Sequence, residues 1–189
     1  MPMYNASDLK KGLRIKIDNE PYIVTEFNFV KPGKGQALYR CRLRNMINGN
    51  QFERTFRSVD SFETADLQEK KMQFLYGEQA KYCFMDNETY EQVFLTQEQV
   101  GDAKNFLIDN IEAEILFFED KPLGVSLPNF VDLVVTMSEP WAKGDSVTGN
   151  TKPVTLQTGY QLLVPTFIEK GEKIRVDTRS GEYLTRVKG

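Results

Sequence analysis

Short runs in which apolar and polar residues alternate set the first limit on what this chain can fold into. Leu13, Ile15 and Ile17 alternate with Arg14 and Lys16, the period of two that buries one face of a strand. Residues 22–29 are rich in β-branched and aromatic side chains, which favour strands. Residues 37–45 resume the ladder, and Asn48-Gly49 marks a hairpin into 51–58. The turn between the first two strands is read at Asn19-Glu20-Pro21. Further strands are expected at 72–77, 81–86, 90–95, 111–119, 124–127, 130–138, 153–157, 161–165, 173–178 and 183–187. A polar, helical piece is expected over 97–110. Many short strands separated by turn residues give an all-β chain of small barrels or sandwiches. Met72, Phe74, Tyr82, Phe84, Phe94, Phe117, Phe118 and Phe130 read as their core.

The 189 residues are 40% apolar and 27% charged, a soluble globular balance. No apolar run reaches the roughly 18 residues of a membrane span. The N-terminus has no basic segment followed by an apolar one, so no signal peptide is expected, and the sequons at Asn5 and Asn87 carry no weight. The two cysteines, Cys41 and Cys83, fall in different modules and read as reduced core thiols of a cytoplasmic protein. There is no histidine. That removes the usual general base, the commonest metal ligand and every Ser-His or Cys-His pair. A non-enzyme without a cofactor or metal is therefore expected.

Charge is uneven along the chain and suggests three modules, 1–64, 65–128 and 129–189. The first carries 11 basic and 7 acidic side chains, the second 5 and 13, the third 8 and 7. A net of +4 followed by −8 suggests that one end meets a polyanion while the middle avoids it. Arg40, Arg42 and Arg44 share one face of the strand at 37–45, with Arg14 and Lys16 on an expected neighbour. The face suits phosphates; its bland alternative is a solubilising surface. Glu112, Glu114, Glu119 and Asp120 could hold a metal or serve a glycosidase, but Glu112 and Glu114 share one strand face and read as a solvated face. Trp141 opens a long polar loop over 139–152, where it either stacks on a base or covers a barrel end.

Pro32-Gly33-Lys34-Gly35 puts one lysine between two glycines that can adopt positive φ at a hairpin tip. Such a lysine is either an ordinary loop residue or a presented reactive amine. It is not a phosphate-binding P-loop, because Gly35 stands where Ser or Thr is required.

Residues 30–37, Val-Lys-Pro-Gly-Lys-Gly-Gln-Ala, resemble the tip loop of bacterial elongation factor P. Pro128-Asn129-Phe130-Val131 and the octapeptide from Val176 to Tyr183, Val-Asp-Thr-Arg-Ser-Gly-Glu-Tyr, resemble the same family in the same order. The resemblance implies a KOW/SH3-like barrel followed by two OB-fold barrels, set as an L that mimics a tRNA. It implies a monomeric factor that binds the ribosome between the P and E sites and promotes peptide bond formation at consecutive prolines. Lys34 would then be the working residue, extended with a β-lysyl group by a modifying enzyme, with Lys31, Pro32, Gly33 and Gly35 shaping its loop. Implied partners are the P-site peptidyl-tRNA, the E-site codon of the mRNA and a ribosomal protein beside the E site. The codon contact would fall on Gly144-Asp145-Ser146, where the family carries Gly-Asp-Thr. RNA-contact candidates are Arg40, Arg42, Arg44, Gly144, Asp145, Ser146, Tyr183 and Arg186. The competing readings are an OB-type RNA-binding protein without a modified lysine and a small carboxylate hydrolase.

Overall fold

The computed structural model describes residues 3–33, 35–138 and 150–187. Packing divides the chain into two compact units, Met1–Gln68 with Phe117–Leu123, and Glu69–Leu116 with Gly124–Gly189. Three antiparallel, barrel-like sheets carry almost all of the regular backbone.

The first sheet holds β1 (Met3–Asn5), β2 (Arg14–Ile17), β3 (Glu20–Val30), β4 (Leu38–Asn45), β5 (Gln51–Arg57) and β6 (Ser61–Thr64), in the order β1-β6-β2-β3-β4-β5. Asp18 and Asn19 join β2 to β3 with φ of 50° and 63°, a two-residue turn whose twist matches the strands. The turn therefore falls earlier than Asn19-Glu20-Pro21, and Pro21 sits inside β3 opposite Lys16. The alternation in β2 and β4 puts Ile15, Cys41 and Leu43 in a core with Val24, Phe56 and Phe62. Asn45 is buried and ties down the next hairpin. Its amide donates to Glu20 at 2.6 Å, and its Oδ1 accepts from the Ile47 and Asn48 amides.

The second sheet runs β11-β10-β7-β8-β9, built from β7 (Leu67–Glu78), β8 (Lys81–Met85), β9 (Gln92–Thr96), β10 (Glu112–Phe118) and β11 (Lys121–Ser126). Met72, Phe74, Phe84, Leu95 and Ile115 fill its interior. After β9, Thr96 starts a single helical turn, α1 (Gln97–Val100). Thr96 Oγ1 accepts from the Gln99 amide while Gln99 Oε1 accepts from the Thr96 amide, a reciprocal cap. Gly101, at φ 55°, ends the turn, and a 3-10 segment runs from Gly101 to Phe106.

The third sheet runs β14-β13-β12-β15-β16, from β12 (Phe130–Ser138), β13 (Thr151–Leu156), β14 (Gln161–Pro165), β15 (Lys173–Asp177) and β16 (Glu182–Val187). Its core includes Val131, Leu133, Val154, Val164, Ile174 and Val176, and also Phe106 from the preceding module. Phe106 meets Tyr160 edge-on at 5.1 Å, and Thr158 Oγ1 donates to the Asn105 carbonyl at 2.7 Å. The second and third modules thus share apolar packing.

Two of the expected core residues are not core. Phe94 is 50% exposed and Phe130 45% exposed, and Tyr82 is only half-buried. Met72, Phe74, Phe84, Phe117 and Phe118 are buried as expected.

Candidate nucleic-acid interface

β3 and β4 form a two-stranded arm. The register runs from Tyr22–Asn45 to Val30–Leu38, with a bulge between Val24 and Glu26. Beyond the bulge every residue from Glu26 to Val30 is exposed, so β3 runs on for roughly 17 Å, at about 3.4 Å per residue, to the tip loop, beside Cys41 and Tyr39 of β4, which still pack in the barrel core. Lys31, Pro32, Gly33 and Gly35 are exposed at its end. Gly35 has φ of +133°, which disfavours any other residue there, whereas Gly33 lies outside the left-handed range. A Cβ at Gly33 would meet nothing within 4 Å. Lys34 itself lies outside the described residues.

The arginine face divides in two. Arg40, Arg42 and Arg44 do point away from buried Cys41 and Leu43. Arg42, however, donates to Glu26 at 2.7 Å and to Glu53 at 2.8 Å, one carboxylate from each flanking strand. Glu53 and Glu26 hold its guanidinium all the more firmly protonated. Acidic partners are therefore not scarce at this position, and Arg42 is largely neutralised. Arg40 and Arg44 are exposed and make no ion pair among the described residues. β2 is not a neighbour of β4 but lies across β3, so Arg14 and Arg44 both flank Ile23 in one row. Lys16 leaves the patch to bind Glu119 at 2.8 Å.

The opposite face of the arm is aromatic. Phe27 and Phe29 on β3 lie in the same rows as Cys41 and Tyr39 on β4, and as Arg54 and Phe56 on β5. Tyr39 is central, 6.3 Å from Phe27 and 5.1 Å from Phe29 between ring centres. Residue-level alternation would have located these rings, but it does not report that Phe27 and Phe29 stay exposed while Cys41 and Phe56 in their rows are buried.

In the third module the most distinctive sequence motifs touch one another. Thr178 donates its amide to the Asn129 carbonyl at 2.9 Å and its hydroxyl to the Pro128 carbonyl at 2.7 Å. Arg179 forms a two-pronged pair with Asp177 and lies over the Phe130 ring at 5.7 Å. The Arg179 guanidinium and the Arg179 and Ser180 amides hold the Asp177 carboxyl down to about 2. Tyr183 is half-buried against the module's core, and Arg186 pairs with Glu172 at 3.1 Å while lying over Phe167. Trp141, Gly144, Asp145 and Ser146 lie outside the described residues. Glu112 and Glu114 are exposed, and Glu112 accepts from Lys71 at 2.8 Å. Among the described residues no group of three or more His, Cys, Asp or Glu side chains could hold a metal. None of their helices is long and apolar enough to cross a membrane. Cys41 and Cys83 are free and buried, and burial pushes the Cys41 thiol up to about 11.

Comparison with known proteins accounts for all three modules. Residues 5–62 match the elongation factor P KOW-like domain, 67–125 the elongation factor P OB domain, and 131–186 the elongation factor P C-terminal domain. Elongation factor P of Syntrophus aciditrophicus strain SB is 80% identical over 187 residues, 99% of this chain and 100% of that protein. Elongation factor P 2 of Geobacter sulfurreducens is 58% identical, also over 99% of this chain and 100% of its own length. Among solved structures, eukaryotic translation initiation factor 5A from Methanococcus jannaschii shares the fold over 67% of this chain and 98% of its own, at a TM-score of 0.56 and 24% identity. The chain belongs to the elongation factor P family of translation elongation factors.

Proposed function

We propose that this chain acts on the ribosome between the P and E sites. There it stimulates peptide bond formation at consecutive prolines by holding the P-site peptidyl-tRNA in a reactive pose. The observation that carries the reading is the arm: a two-stranded hairpin carries an exposed, glycine-bearing loop at its end. Such a device reaches into a confined space; it does not enclose a substrate. Proline is a poor nucleophile in peptide transfer because its ring constrains the attacking amine. A factor that orients the reacting ends lowers that barrier without supplying chemistry of its own.

Lys34 is the working residue in this reading. A primary amine at the tip can be acylated with a β-lysyl group by a modifying enzyme, which lengthens a cationic arm suited to RNA phosphates and 2′-hydroxyls. Gly144, Asp145 and Ser146 meet the E-site codon, Asp145 accepting from base amino groups. The acidic middle module turns away from RNA, toward a basic ribosomal protein beside the E site. The site of action is cytoplasmic. The test is reconstituted peptide synthesis through consecutive prolines with and without the protein: faster synthesis at the prolines and not elsewhere supports the reading, and an equal rate in both overturns it.

A further inference from the structure

We infer that the aromatic face of the arm is a stacking platform for unpaired bases of single-stranded RNA, with Arg54 taking the adjacent phosphate. Strand alternation continues after the bulge: Phe27 and Phe29 keep the side of β3 that buries Val24, in the rows of buried Cys41 and Phe56, yet remain exposed themselves. Phe27 is 36% exposed and Phe29 48% exposed. Tyr39 joins the two rings into one strip, tilted 30° to Phe27 and 52° to Phe29. Arg54, in the row of Phe27 and Cys41, lies over Phe56 at 5.4 Å and makes no ion pair among the described residues.

Charge selects the occupant. Glu26 and Glu53, the nearest carboxylates on these strands, belong to the other face and are taken by Arg42. The aromatic face therefore combines ring surfaces with a cation and no competing carboxylate in its rows. A ligand that answers both is anionic and carries flat π faces, which describes single-stranded nucleic acid. Duplex RNA hides its bases and offers only phosphate and sugar. Bracing of the arm is a weaker account of the same residues, because bracing needs only apolar bulk and would be served equally by leucine. The platform rests on the ribosomal reading above only for the source of its RNA.

The experiment is an NMR titration of the full chain, with ring-labelled Phe and Tyr, against hexa-adenylate and against an RNA duplex of equal length. Saturable upfield shifts of the Phe27, Phe29 and Tyr39 rings with hexa-adenylate, absent with the duplex, are expected. Phe27→Leu with Phe29→Leu keeps apolar bulk and should weaken hexa-adenylate binding by about tenfold or more, at least the scale of one lost base–ring stack. If the double variant loses the arm's amide signals, Phe29→Leu alone gives the same comparison. Equal shifts with duplex, no ring shifts, or unchanged affinity in the leucine variant overturns the platform; absence of ring shifts leaves the strip to a protein partner. Lys34→Ala should leave the ring shifts intact, so failure of the platform and failure of the lysine reading are separately visible.

Discussion

Replacing Phe106 by alanine should cost the third module its stability although Phe106 belongs to the second. The ring is 2% exposed and lies among Val131, Leu133, Val154, Val164 and Ile174. Phe→Ala at a fully buried site costs about 3–5 kcal/mol, transfer plus residual cavity. The edge-on contact with Tyr160 at 5.1 Å belongs to the upper part of that range, since such pairs add roughly 0.5–1.5 kcal/mol. A loss of about 4 kcal/mol is expected. Phe94→Ala is the control: with half the ring already exposed, it should cost about 1.5 kcal/mol or less. Urea unfolding, followed by tyrosine fluorescence and amide resonances of each module, reads both. The Phe106 variant should also separate the second and third modules into two transitions. A cost under about 1 kcal/mol, or one equal to that of Phe94→Ala, would refute the shared core.

Ala80→Gly should stabilise the chain by about 0.5–1 kcal/mol in urea unfolding. Ala80 has φ of 64°, and left-handed strain of about 1–2 kcal/mol outweighs the added unfolded-state freedom of glycine. Gly181→Ala should destabilise by about 1–3 kcal/mol, because φ is +75° and the new Cβ would collide with the Tyr160 hydroxyl; relief in a Tyr160→Phe background separates collision from backbone strain. Asp177, held down to about 2, stabilises the fold above its unfolded value near 3.9, and that stability is lost as pH falls through about 2. Thermal melts should therefore show wild type and Asp177→Asn converging between about pH 4 and 2. Arg40→Gln with Arg44→Gln should lower the salt slope of RNA binding by up to about 2, one for each phosphate contact. Arg42→Gln should change it little, and equal slopes for all three positions would contradict the division of that face.

Most strands were legible because one face of each is buried and period two is then obligatory. The expected segments at 130–138 and 161–165 coincide with β12 and β14. β1 and β6 escaped because neither alternates cleanly: β1 has no buried residue and β6 buries only Phe62. The Gln79-Ala80 and Glu119-Asp120 turns carry no glycine or Asn-Gly signal, yet all four residues have positive φ; the hairpins impose the conformation. Phe94, expected in the core, is exposed, and Phe106, not among the expected core residues, is buried, for one reason. Burial is decided by what lies across the fold, which local pattern cannot report. Phe106 sits in a polar stretch and is buried by a neighbouring module, whereas Phe94 sits on a strand and faces outward. The arginine stripe was legible as a stripe, but its neutralisation depends on strand register, which brings Glu26 and Glu53 to Arg42. The tip loop was legible as a glycine-bearing hairpin end. Its place at the end of an arm follows from the β3–β4 register.

The most direct test of the account is peptide synthesis through three consecutive prolines in a reconstituted system. The chain purified from its native host is compared there with Lys34→Ala and Lys34→Arg from the same source. The parent is expected to relieve the pause. Both variants should leave it in place, with unchanged melting temperatures, since alanine offers no amine and a guanidinium cannot be acylated like one. Full relief of the pause by Lys34→Ala would contradict the claim that this residue does the work.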